Sequence, residues 1–351
     1  MGRRAQGVSP GAPAGDDGSG TSIPPLGGTA CLIAGINGFL GANLALAARR
    51  SGADLLGVDL PGAAKRGERV RAALGVPGVR VLPANLTSPG DWSQAIREAR
   101  PALLFHLAGS TGRGFTERER AGAIAGNVDT TSALLEALAA LPPGERPAVL
   151  HPGSQMEYGL APPPWSERTD CRPANPYAEA KLRSTGMLLA AARDGSLRVC
   201  VARLPVVYGP GQPPTMFVPE LICTALAGAP FRMTEGLQRR RFVHAADAAG
   251  FLLELAAGLL EGRNPPALLN APCCDPVSMR EVAERIVRIV DRPVRLEIGA
   301  IPQREGEFLD AWPDDGAARA LGHSCRIPLD EGLRRTVDWY EANAWFRSGG
   351  A

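Results

Sequence analysis

The stretch TACLIAGINGFLGANLALAARRSG, residues 29–52, decides the fold class. A short apolar run leads into Gly35, Gly38 and Gly41, and an amphipathic segment follows as far as Gly52. Glycines between a strand and a helix permit a tight turn, close approach of the backbone to a ligand, and close packing of helix on strand. The helix N-terminus also offers free N–H groups and a partial positive charge. The stretch therefore predicts a phosphate-binding turn between a first strand and a first helix.

Strand-like and helical segments alternate after this turn. The apolar runs are ADLLGVDL (53–60), VRVLPANL (79–86), ALLFHLAG (102–109), AVLHPGS (148–154) and LRVCVARL (197–204). Near-continuous apolar strands separated by helices are typical of a parallel sheet that is covered on both faces. The sequence therefore predicts an α/β fold, with a Rossmann-type doubly wound parallel sheet in a dinucleotide-binding domain over residues 29–204.

The two ends of the chain have a different composition. Residues 1–28 are rich in Gly, Pro, Ala and Ser and lack the apolar core of a secretory signal, so we expect a disordered tail. Residues 205–351 contain many Pro- and Gly-rich loops, which predict a smaller mixed α/β C-terminal lobe that binds the substrate. Within it, residues 240–262 read as a strand and a helix that return to the main domain.

Composition excludes several classes of function. The formal net charge is +2 over 351 residues, so neither nucleic acid nor an acidic membrane is an expected partner. No apolar run reaches the ~18–20 residues needed to cross a bilayer. The seven cysteines form no CxxC pair and indicate reduced thiols in a cytoplasmic protein. The four histidines show no metal-ligand spacing, so we expect no metal site and assign them to packing or hydrogen bonding.

An acid at the end of the second strand strengthens the dinucleotide interpretation. Asp59 lies 18 residues after Gly41, close to the spacing at which an acid binds the adenosine ribose. A carboxylate at that place accepts from the 2′-hydroxyl and repels a 2′-phosphate, so NAD is favoured over NADP. The alternative is that residues 35–41 form only a tight turn and that Asp59 caps a strand.

The segment NPYAEAK, residues 175–181, pairs a phenol with an amine. Tyr177 and Lys181 are four residues apart and share one helix face, with Asn175 as the cap and Pro176 in the first turn. An ammonium beside a phenol favours the phenolate, which makes the tyrosine usable as a general acid or base. At helical spacing alone such a pair is more often a surface contact. Downstream of a dinucleotide turn, a catalytic pair is the better interpretation.

These segments resemble one known family. GINGFLG, HLAG, NVDTTSALLEA, GSQMEYG, NPYAEAK, RLPVVYGPGQ, QRRRFVHAAD, PQREGE and GLRRTVDWYEAN occur in the order found in extended short-chain dehydrogenase/reductases. Within that family they are similar to the nucleotide-sugar epimerases, dehydratases and ketoreductases. The resemblance covers about residues 30–345. It implies NAD as the cofactor and a nucleotide sugar as the substrate, and it leaves the nucleotide open.

The resemblance also implies roles for individual residues. Ser154 would hydrogen-bond the reacting sugar oxygen, Tyr177 would transfer the proton, and Lys181 would hold the nicotinamide ribose. The implied cofactor-binding residues are Gly35, Gly38, Phe39, Leu40, Gly41, Asp59, Asn85, Leu86, Ala108, Gly109, Tyr177 and Lys181, with Asn127 nearby. The implied substrate-binding residues are Ser154, Gln155, Arg240 and Arg304.

Three positions depart from the family pattern. Val206 stands where the family often has asparagine, so the resemblance leaves one substrate contact open. Arg241 and Ala246 stand where acids are usual. The nucleotide pocket is therefore expected to differ from the common UDP type.

The segment GSQMEYG, residues 153–159, narrows the reaction. The dehydratases that this chain resembles carry two acids directly after the serine or threonine, whereas Gln155 and Met156 occupy those positions here. Neither side chain exchanges a proton at neutral pH, so elimination of water is disfavoured. We assign Tyr158 a structural role. We assign Glu157 no catalytic role, because alternation along an extended segment would direct it away from the side that Gln155 and Met156 line in part.

Three functions remain open from the sequence. The first, slightly favoured by the GSxxEYG form, is a 4-ketoreductase acting on NDP-4-keto-6-deoxyhexoses. The second, favoured by Asp59, is an NDP-sugar 4-epimerase that keeps NAD bound. The third is a non-catalytic dinucleotide sensor, against which the complete Ser154, Tyr177 and Lys181 set argues. Relatives often dimerise through the helix after Asn127 and the helix bearing Tyr177. The alanine- and leucine-rich faces of these helices permit the same homodimer here, and the alternative is that these faces only pack on the sheet.

Overall fold

The computed structural model describes residues 24–112, 114–303 and 308–347. Most of the expected N-terminal tail lies outside these ranges, as does Arg304. The packed chain begins before the expected boundary at residue 28, because Leu26 is buried in the main core. Its backbone N–H donates to the carbonyl of Ser51 at 2.8 Å, so this part of the tail is tied to the end of the first helix.

The main sheet contains parallel strands only. Within the described residues it has seven strands, namely β1 (Ala30–Ala34), β2 (Asp54–Asp59), β3 (Val81–Pro83), β4 (Leu103–His106), β5 (Ala148–Ser154), β6 (Val199–Leu204) and β11 (Leu268–Asn270). Their order is β3-β2-β1-β4-β5-β6-β11, and each neighbouring pair is parallel. Strand order reverses direction at β1, as in a doubly wound sheet. The predicted fold class is confirmed.

Helices cover both faces of this sheet. One face carries α1 (Phe39–Arg50) and α8 (Ala245–Leu260), with α2 (Ala64–Ala73) beside α1. The other carries α3 (Pro89–Ala99), α5 (Thr130–Ala139) and α6 (Pro176–Arg193), and α4 (Glu117–Ala123) joins α5 through the π-helical turn Ile124–Asp129. Side chains alternate along a strand, so Leu32 and Ile33 pack into opposite layers, and both are fully buried.

The C-terminal part of the chain builds a smaller lobe around a second core. Its strands are β7 (Val206–Tyr208), β8 (Phe231–Met233), β9 (Arg239–Arg240), β10 (Phe242–His244), β12 (Val277–Ser278), β13 (Leu296–Ile298) and β14 (Asp310–Ala311). Its helices are α7 (Phe217–Leu226), α9 (Met279–Val290), α10 (Gly316–Ala320), α11 (Leu329–Ala342) and α12 (Ala344–Arg347). The chain crosses between the two cores repeatedly, because both α8 and β11 return to the main sheet. The sequence pattern did not predict β11.

The carboxyl ends of the main strands lie along one edge of the sheet. The turns after β1, β2, β4 and β5 therefore gather there, and this edge is where doubly wound folds bind ligands. The lobe reaches the same region, because Trp165, in the segment after β5, pairs with Pro313. No helix in the described ranges is both long enough and apolar enough to cross a membrane.

Candidate functional site

The glycine turn after β1 requires its glycines. Gly35 has φ +79°, and a Cβ built on it would lie 2.7 Å from the backbone nitrogen of Ala108. A Cβ on Gly41 would overlap the carbonyl oxygen of Gly35. Gly38 precedes α1, so the N–H groups of Phe39, Leu40 and Gly41 form the first turn, where donors have no partner within the helix. This cradle of bare backbone fits a pyrophosphate.

Asp59 lies at the end of β2 and is held beside that turn. Its Oδ2 accepts a hydrogen bond of 2.8 Å from the backbone of Asn37, and its Oδ1 accepts one from the backbone of Leu60. Asn37 in turn accepts from the guanidinium of Arg71, a buried residue of α2. A carboxylate has about four acceptor positions, so Asp59 retains capacity for ribose hydroxyls. The geometry fits the predicted adenosine end of a dinucleotide.

Two further predicted cofactor segments lie along this edge. Asn85 and Leu86 follow β3, where the exposed Asn85 accepts from Thr87 through its side chain and Leu86 is buried. Ala108 and Gly109 follow β4. A Cβ on Gly109 would lie 2.7 Å from the Asn127 side-chain oxygen. The segment 107–110 is therefore close to the π-helical turn, as the resemblance implies for Asn127.

Ser154 ends β5, and the next three residues turn sharply. Residues 155–157 form a 3₁₀ turn rather than an extended segment. The Ser154 hydroxyl oxygen accepts from the backbone of Met156 at 3.2 Å, which leaves its hydrogen for another acceptor. The backbone N–H of Ser154 donates to Glu157 Oε1 at 2.7 Å. The turn thus closes on itself and fixes where the serine side chain starts.

Glu157 is directed inward by this turn. It is fully buried, and its Oε2 pairs with Arg203 Nε of β6 at 2.8 Å. Its Oε1 also accepts from Thr185 Oγ1 of α6 at 3.1 Å. Burial lowers the pKa of Arg203, but Glu157 and Tyr158 outweigh burial and the net shift is upward. Glu157 therefore joins β5, β6 and α6 from a 3₁₀ turn, not from the extended segment that the sequence predicted.

Tyr158 belongs to the same buried layer. Its hydroxyl donates to the side-chain oxygen of Asn270 at 2.7 Å, and the Arg203 guanidinium lies 4.4 Å from its ring centre. Burial raises the pKa of Tyr158 to about 12, so its phenol keeps its proton. These contacts support the predicted structural role.

Lys181 is buried at the side of β5. Its Nζ donates to the carbonyl of Pro152 at 2.6 Å, next but one to Ser154, and approaches His151 Nε2 at 3.0 Å. Burial lowers the pKa of Lys181 to about 8. Both acceptors are neutral groups of β5. The amine is thereby fixed beside the end of the strand that carries the predicted catalytic serine.

Tyr177 lies one helical turn before Lys181 and is partly exposed. Asn175 accepts from the backbone of Ala178 at 2.9 Å, and Pro176 begins the helix, which confirms the predicted cap and first turn. Gln155 is buried after Ser154, and within the described residues its Oε1 has no hydrogen-bond partner. An unpartnered buried acceptor at this position fits a hydroxyl of a bound sugar.

The predicted diphosphate contacts are placed only in part. Arg240 in β9 donates to the backbone carbonyls of Phe308 and Leu309, so its guanidinium fastens the chain next to β14. Arg241 donates to Asp315 Oδ1 at 2.9 Å and is nearly buried. It therefore belongs to the lobe's interior. The substrate role of Arg240 stays a prediction.

Sequence reasoning missed three residues beside the site. His151, Arg203 and Arg71 have no motif of their own, and their partners are distant along the chain. One signal could have singled out His151. It lies three residues before Ser154 on a strand whose other residues up to Pro152 are apolar.

The glycine cradle, the ribose-side acid and the Ser, Tyr and Lys positions together define a dinucleotide-binding protein of the dehydrogenase/reductase class. A family model described as "NAD dependent epimerase/dehydratase family" matches residues 31–267. The chain belongs to this family, which confirms the predicted family and the NAD class of its cofactor.

Individual relatives carry different activities. The trifunctional UDP-glucose 4,6-dehydratase/UDP-4-keto-6-deoxy-D-glucose 3,5-epimerase/UDP-4-keto-L-rhamnose-reductase of Arabidopsis thaliana is 26% identical over 178 residues, which is 50% of this chain and 26% of that protein. The dTDP-glucose 4,6-dehydratase of Streptomyces niveus is 27% identical over 247 residues, covering 69% of this chain and 71% of that protein. The chain thus spans about a quarter of the first relative's length.

A solved structure supports the fold. The UDP-glucose 4-epimerase of Thermus thermophilus, in complex with NAD, superposes with a TM-score of 0.75 at 22% identity. The match covers 89% of this chain and 98% of that one. Fold similarity of this kind does not separate epimerase, dehydratase and reductase. The choice among them depends on the residues of the site.

Proposed function

We propose that this protein is an NAD-dependent oxidoreductase of nucleotide sugars, and specifically an NDP-4-keto-6-deoxyhexose 4-ketoreductase. The observation that supports this proposal most strongly is the turn after Ser154. Gln155 and Met156 occupy the two positions where elimination needs acids. The carboxylate of the nearby Glu157 is ion-paired with Arg203. Reduction of a ketone needs one proton donor and no carboxylate pair. One relative's name includes a 4-keto sugar reductase, which is consistent with this choice.

The chain's own residues supply binding, orientation and the proton. The backbone turn at Gly35–Gly41 would hold the pyrophosphate, and Asp59 would accept from the adenosine ribose. When bound, the nicotinamide supplies the hydride. Ser154, whose hydroxyl hydrogen is not used by Met156, would donate to the substrate carbonyl oxygen. Tyr177 would give its proton to that oxygen as it gains negative charge.

The test is oxidation of reduced cofactor. Purified protein is mixed with NADH or NADPH and a panel of nucleotide-linked 4-keto-6-deoxyhexoses, and absorbance at the nicotinamide band is followed. We expect oxidation with at least one sugar and a preference for NADH. Tyr177→Phe is the matched control, since it removes one hydroxyl. Oxidation by neither cofactor with any sugar contradicts the ketoreductase proposal.

A 4-epimerase with tightly bound NAD is the second candidate. It is favoured by Asp59, which is held by two backbone N–H groups and disfavours a 2′-phosphate. Mass spectrometry of ligand released from purified protein separates the two. Stoichiometric NAD, together with interconversion of two sugar nucleotides without added cofactor, would select the epimerase.

We also propose a cytoplasmic homodimer. All seven cysteines are free, which is consistent with a reducing compartment. The exposed sides of α5 and α6 are the proposed dimer surface, by resemblance to relatives. Sedimentation velocity at micromolar concentration tests the assembly. A single species of monomer mass contradicts it.

A further inference from the structure

Lysine is scarce in this chain. The chain has two lysines, the exposed Lys65 on α2 and Lys181. Its other permanently charged basic residues are arginines. Lys181 is 6% exposed and therefore has lost nearly all of its water. A buried ammonium must find hydrogen-bond acceptors in the protein. The neighbouring side chains and carbonyls must therefore supply the acceptors for this amine.

The hydrogen bonds around His151 fix its tautomer. His151 Nδ1 lies 2.9 Å from the backbone carbonyl of His106, which can only accept, so the proton is on Nδ1. Nε2 then carries a lone pair. That lone pair faces Lys181 Nζ at 3.0 Å. Lys181 therefore donates to His151.

Among the described residues, no other donor competes for this lone pair. Thr131 donates its hydroxyl hydrogen to the carbonyl of Asn127 at 2.7 Å, so its oxygen can only accept from its remaining neighbours. Ser184 Oγ lies 2.6 Å from that oxygen and donates to it, which leaves Ser184 nothing to give His151 at 3.5 Å. His106 Nε2 donates to the same oxygen at 3.0 Å. Each hydrogen is assigned, and His151 Nε2 is reserved for the amine.

We propose that His151 is a positioning residue that orients the Lys181 ammonium and keeps it protonated beside the cofactor site. Two of its three N–H bonds are directed to His151 and Pro152 on β5. Within the described part of the chain, these two bonds leave the third N–H of Lys181 for a bound group. This inference rests on the proposed cofactor-binding role of Lys181 and adds the residue through which the fold controls it.

The direction of the pH effect follows from the neighbours. A neutral acceptor favours the charged form of its donor, whereas burial disfavours it. The groups that surround Lys181 are His151 and His106 from the sheet, Tyr177 on its own helix, and Glu157 with Arg203 behind Ser154. Burial lowers the pKa of His106 to about 3 and that of His151 well below its usual value, so both stay neutral. Removal of the His151 lone pair should lower the Lys181 pKa further.

The experiment uses the two-lysine composition. Protein labelled with ¹³C at the lysine ε-carbons gives two side-chain signals, and the exposed Lys65 serves as reference in the same tube. Titration of the full chain without cofactor or substrate is compared for wild type, His151→Leu and His151→Gln. Gln can place an acceptor near the Nε2 position. His106→Leu is the matched control, since it removes an equally buried imidazole whose side-chain hydrogen bond goes to Thr131 and not to Lys181.

We expect His151→Leu to move the Lys181 midpoint down by about one to two pH units, the size of a hydrogen bond to a charged group. His151→Gln should recover more than half of that shift, and His106→Leu should cost stability without moving the midpoint. An unchanged midpoint in folded His151→Leu overturns the proposal. An equal shift in His106→Leu also overturns it, because the effect would then be general loss of packing.

A parallel titration with NAD separates this inference from the proposed function. If His151→Leu shifts the Lys181 midpoint and weakens NAD binding at alkaline pH, both are supported. If it shifts the midpoint while NAD affinity stays the same at every pH, the control of Lys181 by His151 stands, and the ribose-binding role of Lys181 falls.

Discussion

The ion pair beneath the turn after Ser154 gives the sharpest test of how the candidate site is held. Glu157 and Arg203 have side chains that are 0% and 4% exposed, and they meet at 2.8 Å. The change is Glu157→Gln, which keeps the length and shape of the side chain. The amide oxygen can still accept from Ser154 and Thr185, which Glu157 now holds through Oε1. What is lost is the negative charge opposite the guanidinium.

The size of the loss follows from the burial of Arg203. In the variant the amide N–H₂ faces another donor, and a buried guanidinium remains without its counter-charge. Removal of one partner from a buried pair costs about 3–5 kcal/mol of unfolding free energy. Natural domains have about 5–15 kcal/mol in total, so the change is a large fraction of stability. We expect a variant that folds at low temperature and unfolds at a clearly lower denaturant concentration.

The assay is urea unfolding followed by tryptophan fluorescence. The matched control is Asp330→Asn, which breaks the exposed Arg285–Asp330 pair of 2.8 Å and should cost at most about 1 kcal/mol. The double variant Glu157→Gln with Arg203→Met removes both charges and should recover part of the loss. Equal effects of Glu157→Gln and Asp330→Asn would refute the reasoning, since the buried position would then carry no extra cost.

Three other substitutions test the cofactor and catalytic residues. Tyr177→Phe should reduce turnover about 10²–10⁴-fold with NAD affinity retained, because it removes only the proton donor; stopped-flow kinetics and calorimetry measure the two quantities. Asp59→Ala should weaken NAD binding about tenfold or more and narrow the preference over NADP; an unchanged ratio of the two affinities contradicts the ribose role. Gly35→Ala should cost about 1–3 kcal/mol and abolish NAD binding, since φ is +79° and Ala108 blocks the new Cβ. Gly186→Ala, in open space on α6, is its control and should be neutral or stabilising.

The parts that the sequence predicts well are those determined by neighbours along the chain. Apolar runs identify β1 to β6, and the glycine spacing identifies the turn, because both depend on local backbone geometry. The cap at Asn175 is local too. By contrast, α2 is rich in charged residues and has little apolar periodicity, so its sequence did not predict a helix. The strand β11 has only three residues and lies between Pro266 and Pro272, so it lacks the longer apolar run that surrounds β3.

The interactions that hold the site were not predictable, because they join positions distant in sequence. Glu157 pairs with Arg203 on the neighbouring strand, 46 residues away in sequence, and Lys181 contacts His151, 30 residues away in sequence. A single sequence shows that these groups exist, but it does not show that they meet. Only the order β4-β5-β6 of the sheet and the docking of α6 bring them together. The extended segment from which the orientation of Glu157 was predicted is wrong, because residues 155–157 form a 3₁₀ turn.

The turn after Ser154 bears both on how the serine is held and on which reaction the site can support. A carboxylate that must support Ser154 from below cannot also protonate a leaving hydroxyl above it, because its oxygens are already bound to Ser154, Thr185 and Arg203. The two positions directly after Ser154 carry Gln155 and Met156, neither of which exchanges a proton at neutral pH. In the proposed reaction, proton transfer is therefore assigned to Tyr177. This is why we propose addition of hydride and a proton to a ketone and not loss of water from a sugar.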